Sequence, residues 1–366
     1  MRVLLTGGGT AGHINPAVAI AKYIKAMEPE SEFLFVGTER GLEKTLVPKE
    51  GFEIEFVKVS GLKRKLTLEN IKVLKQFITS KLEAGRIIDR FKPDIVIGTG
   101  GYACVPAINA AHKRGIPTII HEQNVHPGLA IKMLGKKADV TMISFPETEE
   151  LIEAKACALT GNPLRPDLFD EVDALDVKNE YGFDNKPLVL FFGGSLGAER
   201  MNDALVDMLK GGFDGFNLIA ATGEKHYEGI IARLNEAGVD YKSMTNLALV
   251  PYIYNMNKVL GAADMAICRA GAITISELNA LGKASVLIPS PYVAHNHQEQ
   301  NARYLERNGA ARVLLEGELS GESLKGAILS VLGDRESLLK MRDCSLKLGQ
   351  RDACAKIYAI VKDLVD

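Results

Sequence analysis

Three glycine-rich runs could hold an anion: Gly7-Gly8-Gly9-Thr10-Ala11-Gly12-His13, Gly98-Thr99-Gly100-Gly101-Tyr102 and Gly193-Gly194-Ser195-Leu196-Gly197-Ala198. Each follows an apolar stretch and precedes a helical pattern. Glycine lets the backbone approach a phosphate closely, and the next helix offers unpaired N–H groups at the positive end of its dipole. One such terminus contributes about 0.3–1 kcal/mol toward a nearby anion, up to about 2 when partly buried. A single glycine-rich turn also serves tight strand–helix packing, but three at matching places favour phosphate binding. The first run ends in His13, and a histidine that is neutral near pH 7 can serve as a general base.

Gly7, Gly9 and Gly12 also satisfy the G-x-G-x-x-G spacing of dinucleotide sites. Such a site needs an acidic residue closing the second strand to hold the ribose. Here that strand closes Phe35-Val36-Gly37-Thr38, Glu39 comes only afterwards, and the first turn runs into His13-Ile14-Asn15-Pro16. A dehydrogenase is therefore disfavoured. No D-x-D sequence occurs to bridge a metal to a pyrophosphate, so neither metal nor other cofactor is expected. Charge on a departing diphosphate would then be met by helix N-termini and a cation. Cys104, Cys157, Cys268, Cys344 and Cys354 lie far apart without a C-x-x-C pair, against a disulfide framework or a zinc site and in keeping with a reducing cytosol. His121, closing a strand, reads as a buried structural histidine.

The elements that must position these turns repeat one grammar. Short β-branched or aliphatic runs make strands expected at Val3–Thr6, Glu32–Val36, Glu53–Val57, Ile95–Gly98, Thr118–Ile120 and Val140–Ile143. The second half repeats them at Leu188–Phe192, Asn217–Ala220, Leu247–Val250, Met265–Cys268 and Ser285–Ile288. Strands apolar throughout belong in parallel sheets buried on both faces, and the intervening helical patterns make each half a doubly wound α/β domain. At 366 residues the chain suits two such domains. Asn162-Pro163-Leu164-Arg165-Pro166-Asp167 is the natural linker. The expected division is 1–162 and 163–344, with a last helix within about 345–366 packing back on the first domain.

Net charge is −2 overall, but residues 1–165 carry +5 and residues 166–366 carry −7. Residues 58–92 alone carry +7. Within them Lys63, Arg64, Lys65, Lys72 and Lys75 accompany an apolar stripe of Leu74, Phe77, Ile78 and Leu82, which would suit docking on anionic phospholipid. Lys132, Lys136 and Lys137 could extend the patch. No signal sequence and no run of about 18 apolar residues is expected to mark secretion or a membrane span.

The runs GGGTAGHINP, GTGGYACVP, His121-Glu122-Gln123-Asn124, GNPLR at Gly161–Arg165, GGSLGA, and CRAGAITISEL at Cys268–Leu278 occur in that order. Together, over about residues 1–315, they resemble the MurG family of peptidoglycan N-acetylglucosaminyltransferases. The resemblance implies the GT-B fold, two Rossmann-like domains with parallel sheets facing across a cleft. It implies inverting transfer of N-acetylglucosamine from UDP-N-acetylglucosamine to lipid I, giving lipid II, in a bacterial peripheral protein on the cytoplasmic face of the plasma membrane. Lipid I, anionic phospholipid and other cell-wall synthesis and division proteins are the implied partners, with no nucleic acid. A UDP-sugar 2-epimerase, a diacylglycerol glycosyltransferase and a non-catalytic UDP-sugar sensor are the alternatives.

By the same resemblance His13 is the candidate general base. Gly8, Gly9, Thr10, Ala11, Gly100, Gly101 and Tyr102 would surround the acceptor pyrophosphate. The donor would meet Thr10, Gly12, Asn124, Arg165, Gly194, Ser195, Gly197, Ile253, Thr274, Glu277, Gln298 and Asn301. Among these, Glu277 would accept from both ribose hydroxyls, Ile253 would read the uracil edge through its backbone, and Gln298, Asn301 and Asn124 would reach the sugar. Ala11, Cys104, Val105 and Leu196 depart from the commonest family pattern, which leaves the detailed phosphate contacts open.

Overall fold

Apolar runs form strands wherever flanking helices can cover both faces, and they do so twice. The computed structural model describes residues 1–59, 68–194 and 197–366, with 68–78 by backbone alone. Lys63, Arg64, Lys65, Ser195 and Leu196 lie outside the described residues, as do the side chains of Lys72, Leu74, Lys75, Phe77 and Ile78.

The chain divides into two units, Met1–Leu164 with Gln350–Asp366, and Arg165–Gly349. In the first, β1 (Arg2–Gly7), β2 (Glu32–Gly37), β3 (Glu53–Phe56), β4 (Ile95–Gly100), β5 (Thr118–Glu122), β6 (Val140–Ile143) and β7 (Cys157–Leu159) form one parallel sheet ordered β3-β2-β1-β4-β5-β6-β7. Its helices are α1 (Ala11–Met27), α2 (Glu43–Lys49), α3 (Leu68–Phe91), α4 (Cys104–His112) and α5 (Leu129–Leu134), joined by the C-terminal helix Ala353–Val365. Val3, Leu5, Ile14 and Ile20 share one core with Ile357 and Val361 of that last helix. Leu4, Val96 and Ile120 pack on the opposite face with Ile87, Ile88 and Ile108. Burial of each such side chain stabilises the unit by about 1.5–3 kcal/mol. The C-terminal helix is also tied to the end of α1, where Tyr358 donates to Glu28 at 2.9 Å and Lys362 pairs with it at 3.2 Å.

The second unit repeats the plan with β8 (Leu188–Phe192), β9 (Asn217–Ala221), β10 (Leu247–Val250), β11 (Met265–Cys268), β12 (Ala284–Leu287) and β13 (Arg312–Val313), ordered β10-β9-β8-β11-β12-β13. In each sheet the strand order reverses beside the unit's first strand, between β1 and β4 and between β8 and β11. Open α/β sheets bind ligands at the carboxyl ends of strands at such switch points. All three glycine runs therefore lie where ligands of this fold bind.

Candidate functional site

In the first unit the turn after β1 and the turn after β4 interlock. Gly8 N–H donates to the Gly100 carbonyl at 3.3 Å, and the Thr99 hydroxyl donates to the His13 carbonyl at 2.7 Å. The fit requires glycine. A Cβ on Gly101 would come within 2.3 Å of the Gly8 oxygen, and one on Gly7 within 2.1 Å of the Thr99 hydroxyl. Gly9, Gly100 and Gly101 have φ of 87°, 108° and 80°, which favours glycine independently. Thr10 is the N-cap of α1, and its hydroxyl does not cap the helix; His13 N–H turns back to the Thr10 carbonyl at 3.1 Å, which leaves the Ala11 and Gly12 N–H groups as the ones without an intrahelical acceptor. Gly9, Thr10 and Gly12 are exposed, Ala11 half-buried, and Tyr102 stands out 54% exposed beside them.

His13 lies in the first turn of α1 with Nδ1 3.0 Å from the Gly8 carbonyl oxygen. A carbonyl only accepts, so Nδ1 carries the proton and the neutral ring leaves Nε2 free to accept another. The ring lies against Gly100, whose added Cβ would meet His13 Cδ2 at 2.8 Å.

Two carboxylates that sequence reasoning passed over support this region. Glu43, with no exposed surface, accepts from Gly9 N–H at 2.8 Å and from the Thr38 N–H and hydroxyl at 2.8 and 2.7 Å. Gly9 N–H is thus already engaged, and its glycine contributes to an anion site through backbone shape. Glu122 is buried and accepts from Asn124 N–H at 2.9 Å, Asn124 Nδ2 at 3.1 Å and Gly128 N–H at 2.8 Å, which orients Asn124. His121 is a buried structural histidine. Its Nε2 donates to the Gly161 carbonyl at 3.0 Å and its Nδ1 faces Gln123 Nε2 at 3.0 Å, while burial pushes its pKa down to about 4.

In the second unit Gly194 and Gly197 adopt φ of 92° and 75° between β8 and the helix Glu199–Lys210. A Cβ on Gly197 would sit 2.2 Å from the Thr222 oxygen, so this turn also closes only with glycine. Beside it, β11 leads through Arg269 to the helix Ala272–Ala280, which carries Thr274 and Glu277 on one face at i,i+3 spacing. Glu277 keeps a window to solvent, but protein surrounds its carboxyl group. Desolvation pushes its pKa up to about 7, against the opposing pull of Arg165, and the Asp167 carboxylate acts in the same upward direction. Arg165 is exposed and 3.7 Å from Asp167. Ile253 is buried between exposed Tyr252 and Tyr254.

The sugar-side expectations separate. Gln298 is half-buried, with Oε1 accepting from Ser290 N–H at 2.9 Å, which leaves its NH₂ to be accounted for. Asn301 has no exposed surface, and its amide donates to the Ala270 carbonyl at 3.1 Å. In this arrangement the side chain braces the turn after β11. Among the described residues no cluster of three or more His, Cys, Asp or Glu side chains could hold a metal ion.

Comparison with known proteins fits this geometry. The glycosyltransferase family 28 N-terminal domain matches residues 3–143, and the family's C-terminal domain matches residues 188–357. Over its full length the chain is 47% identical to the UDP-N-acetylglucosamine–N-acetylmuramyl-(pentapeptide) pyrophosphoryl-undecaprenol N-acetylglucosamine transferase of Acetivibrio thermocellus, covering 98% of that protein. It is 46% identical to the transferase of the same name from Ruminiclostridium cellulolyticum, with both chains fully covered. The crystal structure of Acinetobacter baumannii MurG is similar over 99% of each chain, with a TM-score of 0.79 and 28% identity. The chain belongs to glycosyltransferase family 28, and within it to these UDP-N-acetylglucosamine-dependent transferases.

Proposed function

We propose that the enzyme transfers N-acetylglucosamine from UDP-N-acetylglucosamine to the 4-hydroxyl of the muramyl sugar of lipid I, forming lipid II with a β-(1→4) linkage. The full-length relatives are named for this transfer. The observation in the site that carries the reading is the Nδ1–H···O=C bond from His13 to Gly8, which leaves Nε2 as a proton acceptor at the end of an anion-binding turn. In the reaction the hydroxyl proton passes to Nε2 and the oxygen bonds to C1 of the donor sugar. The bond from C1 to the UDP oxygen breaks, with inversion. General base catalysis of this kind is typically worth about 10²–10⁴ in rate.

The first unit would hold the acceptor pyrophosphate through the turns after β1 and β4. The second would hold UDP, with the Gly193–Ala198 turn and Arg165 on the diphosphate and Glu277 on the ribose. Supporting the last role, Glu277 is enclosed but reachable, beside the turn that follows β8's neighbour. The same reading makes the protein peripheral on the cytoplasmic face of a bacterial membrane. Its support is the charge of residues 58–92, the exposed Leu82 on α3, and the Lys81, Lys113 and Lys137 ammonium groups, close enough to lower the pKa of Lys81 beyond its desolvation. Lys136 is ion-paired with Glu153 and adds less. The chemical test is His13→Ala in a single-turnover assay with a short-chain lipid I analogue. Turnover should fall at least about 10²-fold with donor affinity kept; near-normal turnover removes His13 as base. Binding to liposomes that ignores both anionic lipid and salt removes the membrane reading.

A further inference from the structure

We propose that Glu43 is a positioning residue that acts through the Gly8–Gly9 peptide, fixing its plane and with it the proton-accepting tautomer of His13. The inference rests on the reading of His13 as the base. The Gly8 carbonyl and the Gly9 N–H are the two ends of one peptide group. The carbonyl accepts from His13 Nδ1 at 3.0 Å, and the N–H donates to Glu43 Oε2 at 2.8 Å. Carboxylate, amide and imidazole therefore form one hydrogen-bonded chain.

The peptide needs such a hold. Both residues flanking it are glycines, and Gly9 has φ of 87°, so no side chain resists its rotation. A flipped peptide would turn N–H toward His13, which would favour an unprotonated Nδ1 and move the ring proton to Nε2, removing the acceptor. Glu43 opposes the flip because a carboxylate oxygen accepts from N–H and repels C=O. Its own place is firm, since Thr38 N–H and hydroxyl hold Oε1. The space it fills exists only because Gly8, Gly37 and Gly41 lack side chains: added Cβ atoms would come within 2.4, 2.5 and 1.9 Å of it. Hydrogen bonds in series also polarise one another, by about 10–30% per bond.

Just past the end of α2, Glu50 pairs with Lys22, further along α1. On the C-terminal helix, Tyr358 and Lys362 engage Glu28 beyond the far end of α1. On β1, Arg2 sits at the opposite end of the strand with Glu32, and β4 carries no titratable side chain.

The test uses the full chain, labelled with ¹⁵N-histidine for the ring nitrogens and with ¹⁵N-glycine for the Gly9 amide, with the His13 ring nitrogens assigned by their loss in His13→Ala. Wild-type enzyme should show His13 protonated at Nδ1 and slow hydrogen exchange at the Gly9 amide although Gly9 is exposed. Glu43→Gln, which must turn its NH₂ toward one of the N–H donors, should give mixed His13 tautomers. In it kcat should fall tenfold or more while the donor KM stays within twofold. Thr38→Val, which keeps the Gly9 contact, should keep the wild-type tautomer. An unprotected Gly9 amide in wild-type enzyme overturns the inference and requires no variant to fold. So does an unchanged tautomer in folded Glu43→Gln, even if turnover drops. Mixed tautomers with full turnover leave the link between Glu43 and His13 standing and overturn the base reading.

Discussion

Glu277 gives the most quantitative prediction, because its buried carboxyl is held near pKa 7 and only the ionised form can accept from both ribose hydroxyls. The sign follows directly. Donor binding favours the ionised form, so affinity is full above pH 7 and declines as pH falls through it. With a pKa of about 7 the ionised fraction is roughly 0.9 at pH 8 and 0.1 at pH 6, so binding at pH 6 should be about tenfold weaker. Two hydrogen bonds to a charged acceptor are worth about 1.5–3 kcal/mol each, so Glu277→Ala should lose about 10²-fold or more in affinity. Calorimetric titration with UDP-N-acetylglucosamine, whose diphosphate diester does not titrate in this range, should show the slope in wild-type enzyme. Glu277→Gln should be weak and flat. A flat wild-type profile, or the same slope in Glu277→Gln, refutes the assignment.

Gly101→Ala should nearly abolish turnover, because its Cβ meets the Gly8 oxygen at 2.3 Å and its φ of 80° strains any side chain; unchanged kcat would show that the two turns need not interlock. His121, pushed down to about 4 by burial, binds fewer protons folded than unfolded between pH 4 and 6.5, so stability is lost as pH falls through that window. The loss at pH 5 relative to pH 7 should be about 2 kcal/mol in urea titrations, and His121→Asn should remove that dependence. Ile357→Ala, which opens the core shared by α1 and the C-terminal helix, should cost about 2–5 kcal/mol in the same assay, and a change under 0.5 would show that the helix is not structural.

The sheets were legible because parallel strands buried on both faces are apolar without a break, as in Leu188–Phe192 and Ile95–Ile97. β7 and β13 were not, since Cys157–Leu159 and Arg312–Val313 are edge strands too short to show a period. The glycine turns were visible as local sequence, with His13 at the end of one. Glu43 was invisible for a physical reason: it reaches Gly9 across 34 residues of sequence, through a gap that three separated glycines create together. Glu39 is the acid nearest the end of the second strand in sequence, whereas the residue that turns inward is Glu43, four positions later.

Release of UDP from UDP-N-acetylglucosamine, measured with and without a short-chain lipid I analogue, tests the central claim most directly. UDP should appear only with the acceptor, in equal amount to a β-(1→4)-linked disaccharide product. UDP release without acceptor, a 2-epimerised sugar still bound to UDP, or tight donor binding with no release at all would contradict it.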